Sequence, residues 1–112
     1  MTNVEPLRFG MAARLRPELR DEYLGLHADA WPDVEAMITT CGIRIFTIFV
    51  LGDVIFGYYE YVGEDFEADQ AAMAADPATQ AWWARTAPCQ LPFDDASDEP
   101  NWQAMTEAWH LD

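Results

Sequence analysis

Residues 43–50, IRIFTIFV, carry the clearest strand signal in the 112-residue chain. Almost every residue in this stretch is β-branched or aromatic, which is the composition that favours a pleated strand. Gly52-Asp53 then provides a turn, and residues 54–62, VIFGYYEYV, have the same kind of composition. The sequence therefore predicts a β-hairpin in the middle of the chain.

On the N-terminal side, residues 7–15 (LRFGMAARL) alternate weakly in polarity and are predicted to form a first strand. Pro17 suits the first turn of a helix, because its missing N–H would have no partner there. Pro32 cannot continue that helix without losing a hydrogen bond and clashing with the preceding turn. The helix should therefore kink or restart at Pro32, and its second half should end at Cys41 with Gly42 as the C-terminal cap.

On the C-terminal side, residues 65–76 are rich in alanine and are predicted to be helical, with Asp65 as the N-cap and a fresh start at Pro77. Residues 88–101 are acidic and contain three prolines, which predicts an irregular surface loop, whereas residues 102–112 have room for a last short strand. The order β-α-β-β-α-β predicts an α+β, ferredoxin-like subunit with both helices on one face of an antiparallel sheet. The other face should be apolar, and a second copy of the chain is its expected cover in a homodimer.

Length and composition predict a single domain over residues 1–112. The hydrophobic share of 51% is too high for a disordered chain. A net charge of −14 and a pI of about 4.1 argue against binding to nucleic acids or to anionic membranes. Cys41 and Cys89 lack a zinc or redox spacing and are expected to be reduced thiols. The start of the chain does not resemble a signal peptide and no run of 18 apolar residues is present, so a cytoplasmic location is expected.

Tyr23, His27 and Trp31 recur every four residues in the stretch YLGLHADAWP, residues 23–32. At about 100° per residue they fall within roughly 80° of one another on a helix, inside its apolar face. A histidine in that position is either a core residue with a satisfied ring or a catalytic group, and both interpretations stay open at this point. An acid–base group, a hydroxyl and a flat aromatic wall on one face suit a small polyhydroxylated ligand.

Several motifs, in the same order along the chain, resemble the L-rhamnose mutarotase family from about residue 8 to residue 112. They are the YLGLHADAWP stretch, the strand pair IRIFTIF and IFGYYEY, then ADPATQAWWA, Pro88-Cys89-Gln90 and the ending EAWHLD. The resemblance implies a dimeric α+β barrel of ferredoxin-like subunits. It also implies an isomerase that interconverts the α and β anomers of a 6-deoxyhexose such as L-rhamnose or L-fucose. No cofactor and no metal are expected, since anomer exchange requires neither.

The resemblance also implies roles for individual residues. His27 is similar to the family's acid catalyst, and Tyr23 is similar to a hydroxyl that contacts the sugar at the catalytic site. Trp82 and Trp83 resemble the sugar-binding tryptophan pair, and Trp31 is expected to add an aromatic wall to the substrate site. A histidine can act as acid or base near neutrality, and positioned acid–base catalysis contributes about 10²–10⁴-fold to a rate.

Residues 44–46 depart from the family pattern. The family usually reads Arg-Asn-Tyr at this place, whereas this chain has Arg44, Ile45 and Phe46. Phe46 keeps an aromatic ring at a substrate-binding position but lacks the hydroxyl that the tyrosine offers to a sugar. The apolar pair keeps open a second function, a cofactor-free enzyme acting on an aromatic or polyketide-type substrate. A third, a non-catalytic ligand-binding or interaction module, stays open because His27 is then only a core residue with a satisfied ring.

Other polar and aromatic residues have plain structural explanations. Trp82 and Trp83 are adjacent on a predicted helix and cannot both face one way, so at least one should serve core or dimer packing. Glu60 is expected to be a solvent-facing carboxylate and not a base. Arg44 is expected to be solvated or ion-paired in preference to clamping a sugar, and His110 to lie at the surface or in a dimer contact.

Overall fold

The computed structural model describes residues 5–95, 98 and 101–112. The long elements alternate as the sequence predicts, with each of the two helical regions divided into two helices. In chain order they are β1 (Leu7–Leu15), α1 (Arg20–Ala28), α2 (Pro32–Thr40), β2 (Ile43–Leu51), β3 (Val54–Tyr61), α3 (Phe66–Ala75), α4 (Pro77–Thr86), β4 (Gln90–Leu91) and β5 (Gln103–Ala104). Short 3₁₀ turns over Pro17–Leu19 and Ala87–Cys89 lead into α1 and out of α4.

The strands form one antiparallel sheet in the order β2-β3-β1-β4, and β5 also pairs with β1. The predicted hairpin joins β2 to β3, with Val50 opposite Ile55 and Leu51 opposite Val54 across the turn at Gly52-Asp53. The α+β, ferredoxin-like arrangement predicted from the sequence is therefore confirmed. None of the helices in the described part of the chain is long and apolar enough to cross a membrane.

The helices cover one face of the sheet, and two hydrophobic clusters lie between helices and strands. The first cluster consists of Ala13, Leu15, Tyr23, Ile55 and Cys89. The second consists of Cys41, Ile43 and Met73, with Met37, Ile38 and Tyr59 packed against it. The alternation of side chains along each strand sends the neighbouring residues to the opposite face. We call the two sides the covered face and the free face.

The predicted helix caps are present. The Asp65 carboxylate accepts a hydrogen bond from the backbone N–H of Ala68 at 3.1 Å, so the first turn of α3 has an acceptor for one of its free donors. Asp76 does the same for Thr79 at the start of α4. At the end of α2, Gly42 has a φ of +83°, and a Cβ added there would lie 3.0 Å from the ring of Tyr61. Both the backbone conformation and the close approach require glycine.

The prediction that Trp31 continues the helical face of Tyr23 and His27 is wrong. Helix α1 ends at Ala28, and the chain restarts as α2 at Pro32. The residue before a proline is pushed out of the helical region by the pyrrolidine ring. Trp31 accordingly adopts an extended conformation, with φ −76° and ψ 125°, as the N-cap of α2.

The prediction of an irregular loop over residues 88–101 is wrong at its beginning. Gln90 and Leu91 pair with Leu15 and Arg14 as strand β4, and both Cys89 and Gln90 are buried. Pro88 lies inside a 3₁₀ turn, where its missing N–H removes no strand hydrogen bond. The last strand is also shorter than the room predicted for it, because only Gln103–Ala104 pairs with β1. Residues 96–97 and 99–100 of the predicted loop lie outside the described residues.

Candidate active site

Helix α1 brings Tyr23 and His27 together on the covered face. They are one helical turn apart, and their ring centroids lie 4.3 Å from each other. Tyr23 is only 2% exposed and belongs to the first hydrophobic cluster, whereas His27 is half-buried. The tyrosine thus anchors the helix in the core, and the histidine lies one turn further toward the edge of that core.

The His27 ring has one nitrogen fixed by the backbone. Its Nδ1 lies 2.9 Å from the carbonyl oxygen of Tyr23. A carbonyl oxygen can only accept a hydrogen bond, so Nδ1 must carry the proton that it donates. In the neutral ring this leaves Nε2 without a proton, as an acceptor, and in the charged ring Nε2 becomes a donor. The backbone therefore orients the ring and leaves Nε2 as the group available for proton transfer.

Two tryptophans complete an aromatic wall beside His27. Trp82 meets the His27 ring edge to face at 5.2 Å, and Trp31 meets Trp82 at the same distance and angle. Although Trp31 is not on α1, the turn before α2 brings it back to the group. Trp82 is 8% exposed and its neighbour Trp83 is 43% exposed, which confirms that the two side chains do not face the same way.

The Tyr23 hydroxyl is held by a residue from the other end of the chain. Gln90 Nε2 donates a hydrogen bond to it at 3.2 Å. Burial, partly opposed by this hydrogen bond, raises the pKa of Tyr23 to about 12. Tyr23 therefore stays protonated at neutral pH and can act as a neutral hydrogen-bond donor or acceptor, but not as a base.

A β-bulge changes the direction of side chains at the start of β2. Arg44 pairs with Glu60 and Thr47 pairs with Tyr58, so two residues of β2 stand opposite the single residue Tyr59. The bulge contains Ile45 with a φ of 56°, a left-handed conformation that is strained for a β-branched residue. Phe46, the next residue, packs on Tyr59 with a centroid distance of 5.5 Å.

The five predicted substrate-binding residues therefore do not form one group by direct ring contact. Tyr23, Trp31 and Trp82 join His27 in a continuous series of ring contacts. Phe46 instead packs on Tyr59 of β3, and Trp83 lies toward solvent. Two contacts that the sequence did not indicate are those of Gln90, which bonds to Tyr23, and of Tyr59, which packs on Phe46.

Glu60 and Arg44 are both held by hydrogen bonds within the chain. Glu60 accepts a hydrogen bond from the Tyr58 hydroxyl at 2.9 Å on the free face of the sheet, opposite to the face covered by α1. Arg44 donates from one nitrogen to the backbone carbonyls of Thr39 and Ile43, at 2.8 and 2.9 Å. None of these hydrogen bonds involves His27.

His110 is the second histidine of the chain and lies apart from the first. Its Nε2 is 2.7 Å from a carboxylate oxygen of Asp112. It lines a recess on the free face together with Arg8, Tyr58 and Trp109. Among the described residues, no three of the His, Cys, Asp and Glu side chains converge in a way that could hold a metal ion.

The sequence is similar to that of known L-rhamnose mutarotases over nearly its whole length. An L-rhamnose mutarotase from Oceanobacillus iheyensis is 29% identical over 107 residues, covering 94% of this chain and 98% of that protein. Another from Phocaeicola vulgatus is 29% identical over 100 residues, covering 88% and 91%. A third, from Yersinia pestis, is 26% identical over 108 residues, covering 95% and 99%.

Two solved structures share the fold. The crystal structure of an L-rhamnose mutarotase from Formosa agariphila superposes with a TM-score of 0.73 at 16% identity, covering 95% of this chain and 99% of that one. Tetracenomycin F2 cyclase from Streptomyces glaucescens, a type II polyketide cyclase, superposes with a TM-score of 0.66 at 17% identity over the same shares. Identities this low establish the fold alone. The sequence profile of the L-rhamnose mutarotase family, however, matches residues 8–111, and the chain therefore belongs to this family of carbohydrate isomerases.

Proposed function

We propose that the protein is a mutarotase that interconverts the α and β anomers of a 6-deoxyhexose, with L-rhamnose as the first candidate and L-fucose as the second. The observation that carries the proposal is the His27 ring, whose Nδ1 is fixed by a backbone carbonyl and which meets Trp82 edge to face. The family profile over residues 8–111 supports the reaction class and the first of the two sugars.

Anomer exchange requires one proton to be delivered and another to be removed. In the proposed reaction, protonated His27 Nε2 gives its proton to the ring oxygen of the sugar as the bond from that oxygen to the anomeric carbon breaks. The anomeric hydroxyl loses its proton to water, and a carbonyl forms at that carbon. Rotation of the open aldehyde and the reverse steps then close the ring to the other anomer. Positioned acid–base catalysis of this kind accelerates a reaction by about 10²–10⁴-fold.

Tyr23 and the tryptophans are proposed to bind the sugar in position. The Tyr23 oxygen accepts from Gln90, and its own proton remains available for a sugar oxygen. Trp82 and Trp31 offer the flat apolar surface on which the C–H face of a pyranose packs. None of these side chains carries a permanent charge, which suits a neutral sugar. Phe46 and Trp83 are proposed as outer contacts of the same substrate.

We further propose that a second copy of the chain covers the free face and makes the protein a homodimer. Phe49 on β2 is 60% exposed and Leu51 is 83% exposed, and both side chains lie on the free face, opposite to the one that the described helices cover. Met105 and Trp109 extend the same apolar surface along the C-terminal segment. Exposed apolar side chains grouped on one face of a sheet are typical of an isologous contact between identical subunits.

Saturation-transfer NMR on anomeric protons tests the function, because it measures exchange between anomers at equilibrium. The protein should accelerate exchange for L-rhamnose, or for L-fucose if that is the substrate, and leave an aldose outside the 6-deoxy series closer to its uncatalysed rate. Exchange that is no faster with protein for any of several 6-deoxyhexoses would refute the assignment. A parallel binding panel of aromatic compounds distinguishes the activity suggested by the apolar pair Ile45 and Phe46, since a polyketide-type enzyme would bind only that panel.

A further inference from the structure

An aromatic row runs across the covered face beside the helices. Phe66 at the start of α3 stacks on Phe9 at 4.8 Å, and Phe9 stacks on Tyr59 at 4.9 Å. Phe46 closes the row against Tyr59 at 5.5 Å. Tyr59 is thus held between two phenylalanine rings, and it is the one member of this row with a polar group.

The Tyr59 hydroxyl forms no hydrogen bond with any described residue. Among the described residues, the buried side-chain nitrogen and oxygen atoms all have a partner except Gln70 Nε2. The Tyr59 oxygen is not among the buried atoms without a partner, so it must reach solvent-accessible space although the residue as a whole is half-buried. Desolvation alone raises the pKa of Tyr59, which keeps the hydroxyl neutral and its proton in place at neutral pH.

Unlike Tyr59, the neighbouring tyrosines of β3 have hydroxyl groups that form hydrogen bonds within the chain. Tyr58 donates to the Glu60 carboxylate on the free face, and Tyr61 donates to the Asp69 carboxylate on the covered face. A tyrosine hydroxyl in a partly buried position normally has a partner. Of the three, only Tyr59 has its ring fixed by packing while its hydroxyl is left available for a molecule outside the chain.

Tyr59 lies on the face of the sheet that the helices cover. Tyr59 shares the covered face with Ile55, since the two are four residues apart on β3. Ile55 packs in the first cluster beneath Tyr23 of α1, and Tyr59 packs on the second cluster with residues of α2. His27 is the last residue but one of α1, just before the chain turns into α2. The aromatic row and His27 thus belong to the same side of the sheet, the row on the strands and His27 in the helices that cover them.

We propose that the Tyr59 hydroxyl is a substrate-binding group, donating a hydrogen bond to a sugar oxygen from the aromatic row that the hydroxyl-free Phe46 shares. The inference rests on the proposed mutarotase function, because it assumes a polyhydroxylated ligand at the His27 site. Tyr59 on β3 would then make the hydrogen bond to the sugar that a tyrosine at position 46 on β2 would have made. The packing of Phe9 and Phe46 holds the Tyr59 ring in place, so little side-chain entropy is lost when the bond forms.

The test compares Tyr59→Phe with wild type in anomer exchange of L-rhamnose. Removal of one neutral hydrogen bond to the substrate should raise KM by roughly two- to tenfold with little change in kcat. The melting temperature should stay close to that of wild type, because the Tyr59 hydroxyl forms no hydrogen bond with a described residue that the substitution could remove. Tyr61→Phe is the matched control on the same strand and face. It removes the bond to Asp69, so it should lower the melting temperature and leave KM unchanged.

A second comparison tests whether positions 46 and 59 serve the same sugar group. Phe46→Tyr should lower KM more in the Tyr59→Phe background than in wild type, because neighbouring groups with a shared partner do not add independently. Equal gains in the two backgrounds would overturn that shared role. An active, folded Tyr59→Phe protein with unchanged KM would overturn the inference while the mutarotase function stands. Wild-type protein that neither binds nor exchanges any sugar would overturn both.

Discussion

The two faces of the sheet differ in whether their side chains have contact partners within the chain. On the covered face, the Tyr23 hydroxyl accepts a hydrogen bond from Gln90, and His27 Nδ1 donates one to a backbone carbonyl. Trp31 and Trp82 pack on one another. On the free face, Phe49 and Leu51 project into solvent from the long strand β2. On the covered face, contacts within one chain orient the side chains proposed for catalysis. On the free face, large apolar side chains of the described residues are exposed to solvent.

The free face also has polar groups, but they are paired with each other. Arg8 and Glu107 form an ion pair at 2.7 Å beside a recess of about 340 Å³. The pair raises the pKa of Arg8 and lowers that of Glu107, so each group holds the other in its charged form. His110 likewise pairs with Asp112. The comparison suggests that chemistry belongs to the covered face and assembly to the free face.

The largest effect on activity is expected from substitution of His27 on the covered face, with His110 on the free face as the control. His27→Ala should remain folded and lower kcat for L-rhamnose exchange by about 10²–10⁴-fold, because the proton-transfer group is removed. His110→Ala should retain exchange within about twofold. Saturation-transfer NMR at matched protein concentrations measures both variants. Full activity in folded His27→Ala protein would exclude this ring from the mechanism.

The next largest effect is expected on association of two copies through the free face. Phe49→Glu should raise the dissociation constant of the proposed homodimer by at least about tenfold, because each copy loses a buried aromatic side chain, worth roughly 1.5–3 kcal/mol, and gains a charge. Sedimentation equilibrium measures the change. Ala71→Glu, at an exposed position of α3, is the matched control and should leave association unchanged. A wild-type protein that is monomeric at all concentrations would contradict the proposed cover.

Tyr23 should give a smaller effect that appears at alkaline pH. Its pKa is about 12 in the folded chain and ordinarily near 10, so the folded state holds the proton more tightly. This stabilisation is complete below pH 10 and is lost as pH rises through 12, at up to about 1.4 kcal/mol per pH unit. Urea unfolding at pH 9 to 12 should show a shallower decline for Tyr23→Phe than for wild type. Equal slopes would show that Tyr23 does not carry this dependence.

The smallest effect is expected at the bulge that turns Phe46 toward the covered face. Ile45 has a φ of 56°, and asparagine tolerates this conformation better than a β-branched residue does. Ile45→Asn should therefore increase the free energy of unfolding by about 1 kcal/mol. Thr47→Asn, outside the left-handed region on the same strand, should not stabilise the protein. Thermal unfolding measures both, and a destabilised Ile45→Asn protein would show that the apolar side chain matters more than the backbone strain.

The fold could be predicted from the sequence where the local signals were strong. Residues 43–50 are nearly all β-branched or aromatic, and Asp65 and Asp76-Pro77 mark the helix starts directly. The short strand at Gln90–Leu91 could not be predicted in this way, because its residues are held by pairing with distant β1 and not by local composition. Its proline and acidic neighbours indicate a loop, and tertiary contact overrides that indication.

The candidate site could be predicted only in part. The spacing of Tyr23 and His27 was sufficient, because one helix carries both. The spacing of Trp31 was misleading, since the break before Pro32 removes it from the helix while the returning chain still brings it to Trp82. The bulge at Ile45 and the unpaired hydroxyl of Tyr59 depend on register between strands, which periodicity within one strand does not reveal.

Binding of the sugar beside His27 on the covered face can be followed through the indole N–H signals of the five tryptophans. The ¹⁵N-labelled protein is titrated with L-rhamnose, and each signal is assigned by a single Trp→Phe substitution. We expect the signals of Trp82 and Trp31 to shift in a saturable way and that of Trp109 on the free face to stay unchanged. Saturable shifts confined to Trp109, with Trp82 and Trp31 unchanged, would place the sugar on the free face and rule out the proposed site beside His27.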